Sequence, residues 1–393
     1  MYFSKTFNKN IDRFHYLTLL ITLNTGYFIT TILWLYYSLF PFKGKRKTDI
    51  IFFPYAQPGS DGYKRRFEVY LPHLKKENIS FIMCDITDNK HLIENLEGSK
   101  LKRYILFRKI YFKRIRQVLL ARKCKAAFVQ RGLFVAFPDQ KFPHLERLLS
   151  KLNTNITIDF WDSFWLYNKK LVDKAASYCN KISCVNEFDQ LYFNFLPQPK
   201  LLFPIGIDLS PYKQKKDYAI HGPVKFVYTG LPHNVEQFLS FMSPVFEKLI
   251  KEIDFKLILI TRYRNDHLPF PAEFHYFEES TFYNLLSGAD IGLYAVEESD
   301  ESKGKMATKV LDYMAAGLPS VASPYGLTPY AQHNENILVA SGNEEFYNTI
   351  TKLVSDIDLR TRIGKSAFQT MIKHHEIEKS YSLFKQIVFE SPE

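Results

Sequence analysis

Short apolar runs alternate with longer stretches in which apolar residues recur every three or four positions. The short runs read as buried strands at residues 49–53, 127–130, 156–159, 182–185, 225–230, 255–260 and 291–294. Helix-period stretches follow several of them, as at residues 67–74. Single strands that alternate with helices are typical of parallel sheets covered by helices. The pattern therefore predicts an α/β fold.

The strand pattern is interrupted once, by the polar segment at residues 212–221. A chain of 393 residues is long enough for two domains that each bury a core. We predict a first domain at residues 48–208 and a second domain at residues 209–393, which ends in helices. Residues 1–47 precede both domains.

Residues 14–42 contain no Lys, Arg, Asp or Glu. About 20 apolar residues cross a bilayer as a helix. Four basic residues follow at once, as on a cytoplasmic flank: Lys43, Lys45, Arg46 and Lys47. This predicts that residues 1–47 are a membrane anchor and that the body faces the cytoplasm. Asn24 and several threonines lower the hydrophobicity of the segment. The alternative is therefore a helix that lies in the membrane interface or packs on the domain.

The formal net charge is +11, and residues 100–125 contain eleven Lys or Arg and no acid. Apolar residues interleave with these cations, which suits a helix on an anionic membrane surface. Nucleic acid is a competing partner, but no recognised nucleic-acid module surrounds the segment. A solvated helix face is the third interpretation. We expect a second membrane contact here and no nucleic-acid partner.

The cysteines indicate core positions, because Cys84, Cys124, Cys179 and Cys184 lack the paired spacing of a zinc site. Asp159 and Asp162 are two carboxylates alone, which is weak evidence for a metal site. They are expected to line an acceptor site or to cap a helix. No metal and no cofactor are predicted.

Residues 305–324 form the most informative segment. The spacing predicts a helix with one apolar face and, on another face, two cations and an acid: Lys305, Lys309 and Asp312. Gly317 and Pro319 end the helix before a short strand. Cations near a helix N-terminus favour a phosphorylated ligand. A solvated helix with its lysines in water is the alternative.

Residues 309–323, KVLDYMAAGLPSVAS, closely resemble a signature of retaining glycosyltransferases of the GT-B fold, family 4. The acid of that signature accepts hydrogen bonds from the ribose hydroxyls of a sugar nucleotide, so the resemblance assigns this role to Asp312. Relatives often have a second Glu eight residues earlier, where this chain has Gly304. The implied fold is GT-B: two Rossmann-like domains facing a cleft, the first for the acceptor and the second for the nucleotide sugar.

The resemblance also assigns roles to three loops. It places an acceptor or cleft loop in the first domain, with the candidates Gly59, Asp61, Gly62 and Arg65. After the first strand of the second domain, Gly230 allows close backbone approach to the donor. That loop lacks the Arg and Lys of many relatives, so Lys305 and Lys309 would stabilise the departing diphosphate. Arg131 replaces a histidine of many relatives and either contacts sugar or phosphate, or forms a salt bridge.

Together these features predict a membrane-associated glycosyltransferase that moves a sugar from a nucleotide sugar to an envelope glycan or lipid-linked acceptor. Retention of configuration is implied by the resemblance. Two alternatives stay open: a nucleotide-sugar epimerase of the same fold, and a noncatalytic relative that binds a glycan or a partner enzyme. The residues expected to carry catalysis are Lys305, Lys309 and Arg131.

Overall fold

The computed structural model describes residues 13–86, 100–133, 142–262 and 267–390. The chain divides into two compact units. The first comprises Met1–Ile205 and Tyr381–Glu393, and the second comprises Gly206–Ser380. Each unit contains a six-stranded sheet with helices between its strands. The predicted α/β architecture with two parallel sheets is confirmed.

The sheet of the first unit is parallel and has the strand order β2-β1-β3-β4-β5-β6. Its strands are β1 Thr48–Phe53, β2 Phe81–Met83, β3 Cys124–Gln130, β4 Ile156–Phe160, β5 Lys181–Cys184 and β6 Lys200–Leu202. Its α-helices are α1 Arg13–Leu39, α2 Asp61–Arg66, α3 Leu71–Lys76, α4 Lys100–Leu120, α5 His144–Leu152, α6 Lys169–Ser177 and α7 Glu187–Tyr192. Four 3₁₀ turns lie at Glu68–Tyr70, Ala121–Lys123, Phe164–Leu166 and Phe193–Phe195.

The sheet of the second unit is also parallel, in the order β12-β11-β10-β7-β8-β9. Its strands are β7 Val224–Thr229, β8 Phe255–Ile260, β9 Ala272–His275, β10 Ile291–Tyr294, β11 Ser320–Ala322 and β12 Leu338–Val339. Its helices are α8 Pro232–Leu249, α9 Glu279–Gly288, α10 Asp300–Gly304, α11 Thr308–Ala315, α12 Gly342–Ser355 and α13 Ile357–Thr370, followed by a π turn at Met371–His375. The last helix, α14 Ile377–Phe389, begins in this unit and ends in the first.

Residues 381–393, which we assigned to the second domain, belong to the first unit. Phe384 of α14 is buried and stacks on Tyr70, with the ring centroids 4.9 Å apart. It also stacks on Phe52 of β1 at 6.0 Å. Offset aromatic contacts add to the burial of large apolar surface. This aromatic cluster holds the end of the chain against the first sheet.

Other predictions at the level of elements had mixed outcomes. The helix predicted at residues 67–74 is interrupted: α2 ends at Arg66, a 3₁₀ turn follows, and α3 begins at Leu71. All four cysteines are buried and free, as predicted. Burial raises the pKa of the Cys84 thiol to about 12, so this group stays a neutral thiol at pH 7.

The predicted spanning anchor is not supported. Within the described part of the chain, α1 included, no helix combines the length and the apolar character needed to cross a membrane. Polar residues such as Asn24 and Thr30 lower the mean hydropathy of α1. Instead α1 packs against α4 and α5. Residues 1–12 of the predicted anchor segment lie outside the described residues.

Candidate functional site

Helix α11 lies over the sheet of the second unit and is enclosed by the protein. Val310 to Ala315 are all buried, so α11 is not a solvated surface helix. A helix with no solvent-exposed face is part of a protein core. The helix begins only at Thr308, because Lys305 has extended backbone and ends the short helix α10.

Tyr313 fixes the position of α11 on the sheet. Its side chain has no solvent exposure, and its ring lies against Gly292 of β10, where a Cβ would be 2.6 Å from the ring. The Tyr313 hydroxyl donates to the carbonyl oxygen of Leu293 at 3.2 Å. Real Cβ atoms do not approach that closely, so only glycine fits under the ring. The helix is therefore held at a fixed height above β10.

Lys309 lies at the carboxyl ends of β7 and β10. Its Nζ atom is 5.3 Å from the ring centroid of Tyr228 and 5.9 Å from that of Tyr294. Its Cε atom is near Gly230, where a Cβ would come within 3.3 Å. Ligands of open α/β sheets bind beyond the carboxyl ends of the strands. The structure thus brings together Lys309 and Gly230, two of the predicted donor residues.

Asp312 lies one turn after Lys309 on α11 and is only 4% exposed. The Tyr212 hydroxyl donates a hydrogen bond to its Oδ1 atom. Tyr212 in turn packs edge-on against Tyr283 of α9, with centroids 4.8 Å apart. Hydrogen bonds to a carboxylate stabilise it at a buried position. Asp312 is therefore a preorganised acceptor that also links α11 to the segment before β7.

Lys305 does not share the face of Lys309 and Asp312. It precedes α11, and its ammonium group forms a salt bridge with Glu301 of α10. Its side chain is 45% exposed. The interpretation that placed the three residues on one helix face is therefore wrong for Lys305, because the backbone leaves the helical conformation between Gly304 and Thr308.

Arg131 forms the centre of a polar cluster at the carboxyl end of the first sheet. It follows β3 with φ +61° and makes a salt bridge to Asp162. Its guanidinium lies over the rings of Tyr55 and Phe164, at 4.9 and 5.3 Å. Of the interactions left open by the sequence, the structure shows the salt bridge. The Oδ1 atom of Asp162 is buried and has no hydrogen-bond partner among the described residues.

Asp189 adds a second carboxyl group near this cluster. Its Oδ1 atom accepts hydrogen bonds from the Ser163 hydroxyl at 2.6 Å and from Trp165 Nε1 at 3.1 Å. Burial, and further the negative charge of Asp162, raise the pKa of Asp189 to about 7. A carboxyl group that titrates near neutrality can exchange a proton with a ligand. Sequence reasoning missed Asp189, since nothing in its local pattern marks it.

The other first-domain candidates lie around α2. Ser60 caps this helix by accepting from the Tyr63 amide, with Gly59 before it at φ +81°. The Arg65 Nε atom donates to Asp61 at 2.7 Å, four residues away along the helix. Gly62 lies in the first turn of α2. Asp61 and Arg65 are thus partners of each other.

Asp159 does not line an acceptor site. It is buried and accepts two hydrogen bonds from Arg66, at 2.8 and 2.5 Å, and a third from Ser183 at 2.6 Å. The Arg66 guanidinium also lies 3.8 Å from the ring centroid of Phe203. This buried, bidentate pair has its polar atoms satisfied, so it is part of the core. Across the described ranges, no group of His, Cys, Asp and Glu could hold a metal ion.

Comparisons with known proteins address the fold and the type of domain. Residues 223–356, which span β7 to α12, match the family model of glycosyl transferases group 1. The sequence has no match among curated proteins.

Three solved structures illustrate the fold. HepE from Anabaena, solved with UDP-glucose, matches with a TM-score of 0.62, 11% identity, 86% of this chain and 98% of its own. A glycosyltransferase from Rickettsia africae matches with a TM-score of 0.62, 13% identity, 88% of this chain and 99% of its own. The apo structure of OtsA matches with a TM-score of 0.58, 12% identity, 88% of this chain and 100% of its own.

Identities this low show the fold, and the family model identifies the type of domain. Both support the resemblance of residues 309–323 to glycosyltransferases of the GT-B fold, while family 4 and retention stay predictions. The second unit therefore contains a group 1 glycosyltransferase domain, and the chain has the GT-B fold.

Proposed function

We propose that the chain transfers a sugar from a nucleoside diphosphate sugar to an envelope glycan or a lipid-linked acceptor, with retention of anomeric configuration. The observation that carries this proposal is the grouping of Lys309 and Gly230 at the carboxyl edge of the second sheet, with Asp312 one turn further along α11. One cation, one point of close backbone approach and one buried carboxylate match the three parts of such a donor: diphosphate, sugar and ribose.

The chemistry follows from the charge that develops during transfer. When the bond between the anomeric carbon and the diphosphate breaks, negative charge grows on the leaving diphosphate. A fixed ammonium group stabilises that charge without reorganisation. Lys309 is suited to this because the rings of Tyr228 and Tyr294 flank its side chain. Lys305 would add a second, more exposed charge after releasing Glu301.

The neutral state of the flanking tyrosines supports this role for Lys309. Burial raises the pKa of both Tyr228 and Tyr294 above their ordinary value. Neither phenol can then become a phenolate that would neutralise the ammonium group near pH 7. Both rings are therefore neutral beside the ammonium group of Lys309.

The acceptor side of the proposal uses the cluster of Arg131, Asp162 and Asp189. Arg131 would orient an acceptor or sugar hydroxyl, and the loop from Gly59 to Arg65 would contribute further contacts. The net charge of +11 and the uncharged segment at residues 14–42 favour a lipid-borne acceptor at a membrane. Membrane association, the acceptor class and retention all belong to the proposal.

A direct test starts with donor binding. UDP-glucose is the first donor to try, because HepE was solved with it. The protein should bind one nucleotide sugar in calorimetry and transfer its sugar to a lipid-linked or oligosaccharide acceptor, with the anomeric configuration read by NMR. Epimerised sugar nucleotide formed without an acceptor would instead favour the epimerase, and a lack of binding to any nucleotide sugar would favour a noncatalytic relative.

A further inference from the structure

Helix α1 directs large apolar side chains away from the protein. These residues recur every three, four or seven positions and therefore share one helix face. We call them the α1 outer face: Leu17 (55% exposed), Ile21 (55%), Phe28 (66%), Ile32 (49%), Leu35 (49%) and Leu39 (73%). Monomeric proteins rarely expose a continuous apolar strip of this kind without a partner.

The opposite face of α1 packs on the domain and mixes apolar residues, such as Leu23 and Trp34, with small and polar ones. Gly26 is packed against the Tyr111 ring of α4, where a Cβ would lie 2.2 Å away. Thr30 is buried, and its hydroxyl donates to the Gly26 carbonyl oxygen at 2.8 Å. Arg147 of α5 donates to Thr31 Oγ1 at 2.5 Å. Surface helices in water expose a polar face, whereas α1 exposes an apolar strip in addition to the apolar residues that it buries.

Exposed basic residues lie on two segments next to α1 in the sequence or in the fold. Three exposed lysines follow α1 directly: Lys43, Lys45 and Lys47. Helix α4, which packs against α1, carries what we call the α4 basic face: Arg108, Lys109, Lys113 and Arg116, all exposed. Ile105 lies beside them and is 44% exposed. Exposed cations together with exposed apolar side chains suit an anionic lipid surface. The cations can contact the lipid headgroups, and the apolar side chains can contact the acyl chains.

We propose that α1 lies in the plane of an anionic bilayer, with the α1 outer face at the boundary between headgroups and acyl chains. The flanking lysines and the α4 basic face then contact headgroups. A helix of this length offers a contact roughly 40 Å long. This inference deepens the proposed function, on which its choice of a lipid partner rests in part, and it replaces the spanning anchor by an in-plane helix.

A second copy of the chain is the main competing occupant. Pairing two α1 outer faces would bring together two chains that each carry a net charge of +11, with the flanking lysines next to the contact. Like charges disfavour that arrangement at low salt. An anionic bilayer would bury the α1 outer face and also attract the cations, so the bilayer is the better partner.

The test is flotation of the full chain with vesicles of phosphatidylcholine, alone or mixed with phosphatidylglycerol. The protein should bind both, and more strongly to the anionic vesicles at low salt. The double variant Phe28→Ser/Leu35→Ser should reduce the vesicle partition coefficient at least about tenfold, because each side chain removes apolar burial. Lys109→Glu/Lys113→Glu/Arg116→Glu should remove only the salt-sensitive part.

A matched control uses another exposed Phe and Leu of the same unit. Phe195 and Leu191 are 57% and 65% exposed, and changing both to Ser should leave vesicle binding unchanged. Equal partition of the Phe28→Ser/Leu35→Ser variant and this control would overturn the proposal. A second result would also overturn it: the unaltered chain is a dimer in light scattering and does not bind vesicles, and the Phe28→Ser/Leu35→Ser variant is a monomer.

Donor binding separates this inference from the proposed function. Every variant above should bind nucleotide sugar like the unaltered chain, because none of the changed residues lies in the second unit. If the chain binds vesicles through α1 but binds no nucleotide sugar, the docking surface stands and the proposed function fails. If it binds nucleotide sugar and no vesicles, the docking surface and the membrane association fail, and the donor site stands.

Discussion

Replacing Lys309 by Gln should weaken donor binding and slow transfer, with little effect on folding. The change removes the positive charge near Tyr228 and Tyr294 at the ends of β7 and β10, while it keeps most of the aliphatic side chain. Losing a cation over an aromatic ring costs about 0.5–1 kcal/mol of folding free energy. The variant should therefore unfold only a few degrees lower.

The effect on binding should be larger. A hydrogen bond between a charged donor and a phosphate oxygen contributes about 1.5–3 kcal/mol, which corresponds to a rise in Kd of roughly 10- to 150-fold. Because negative charge grows on the diphosphate as the sugar leaves, kcat should fall as well. Lys309→Arg keeps the charge and should recover part of both losses.

The assay is calorimetric titration with UDP-glucose, or with whichever nucleotide sugar binds, followed by turnover measurements. Lys303→Gln is the matched control, because Lys303 is a nearby lysine whose ammonium forms a surface salt bridge with Glu298 at 2.6 Å. It should bind and turn over donor normally. If Lys309→Gln and Lys303→Gln have the same Kd and kcat, the assignment of Lys309 to the diphosphate is refuted.

Three further changes test neighbouring features. Asp312→Asn should raise the donor Kd by a similar factor, since the amide oxygen still accepts from Tyr212 but the charge is lost; an unchanged Kd would make Asp312 purely structural. Gly292→Ala should lower the free energy of unfolding by about 1–3 kcal/mol, measured by urea titration, because its Cβ meets the Tyr313 ring. Asp189 binds a proton more tightly in the folded state, with a pKa of about 7, so its contribution to stability should decline as pH rises from about 4 to about 7. Asp189→Asn should remove that decline in urea titrations at several pH values, and an unaltered pH profile would contradict the pKa shift.

The sequence predicted the strands well because each is a short, continuous apolar run. Phe255–Ile260 and Ile291–Tyr294 have the same bounds in the sequence pattern and in the structure. Strands of low apolar content, such as Ala272–His275, gave no such signal. Helix bounds were less predictable. The break between Gly304 and Thr308 was missed because Lys305 and Met306 fit the helical period, although their backbone is not helical.

The candidate site was predictable where it depends on a local motif. Lys309, Asp312 and Gly230 follow from residues 305–324 and from the turn after a strand. Tyr212 and Asp189 were not predictable, because their roles depend on contacts with residues distant in sequence: Tyr212 reaches Asp312, and Asp189 reaches Ser163. For residues 14–42, the sequence showed the absence of charge, but it did not show which face of α1 would be buried. That face depends on α4 and α5, against which the helix packs.

The central claim is that the second unit binds a nucleotide sugar at Lys309 and Asp312 and donates its sugar to an acceptor. The most direct measurement is the transfer of a radiolabelled sugar from its nucleotide donor to lipid-linked acceptor by the full chain, compared with Lys309→Gln. The account predicts labelled glycolipid with the unaltered chain and at least about tenfold less with the variant. Equal labelling by both proteins would contradict it, and so would label that leaves the nucleotide only as free sugar.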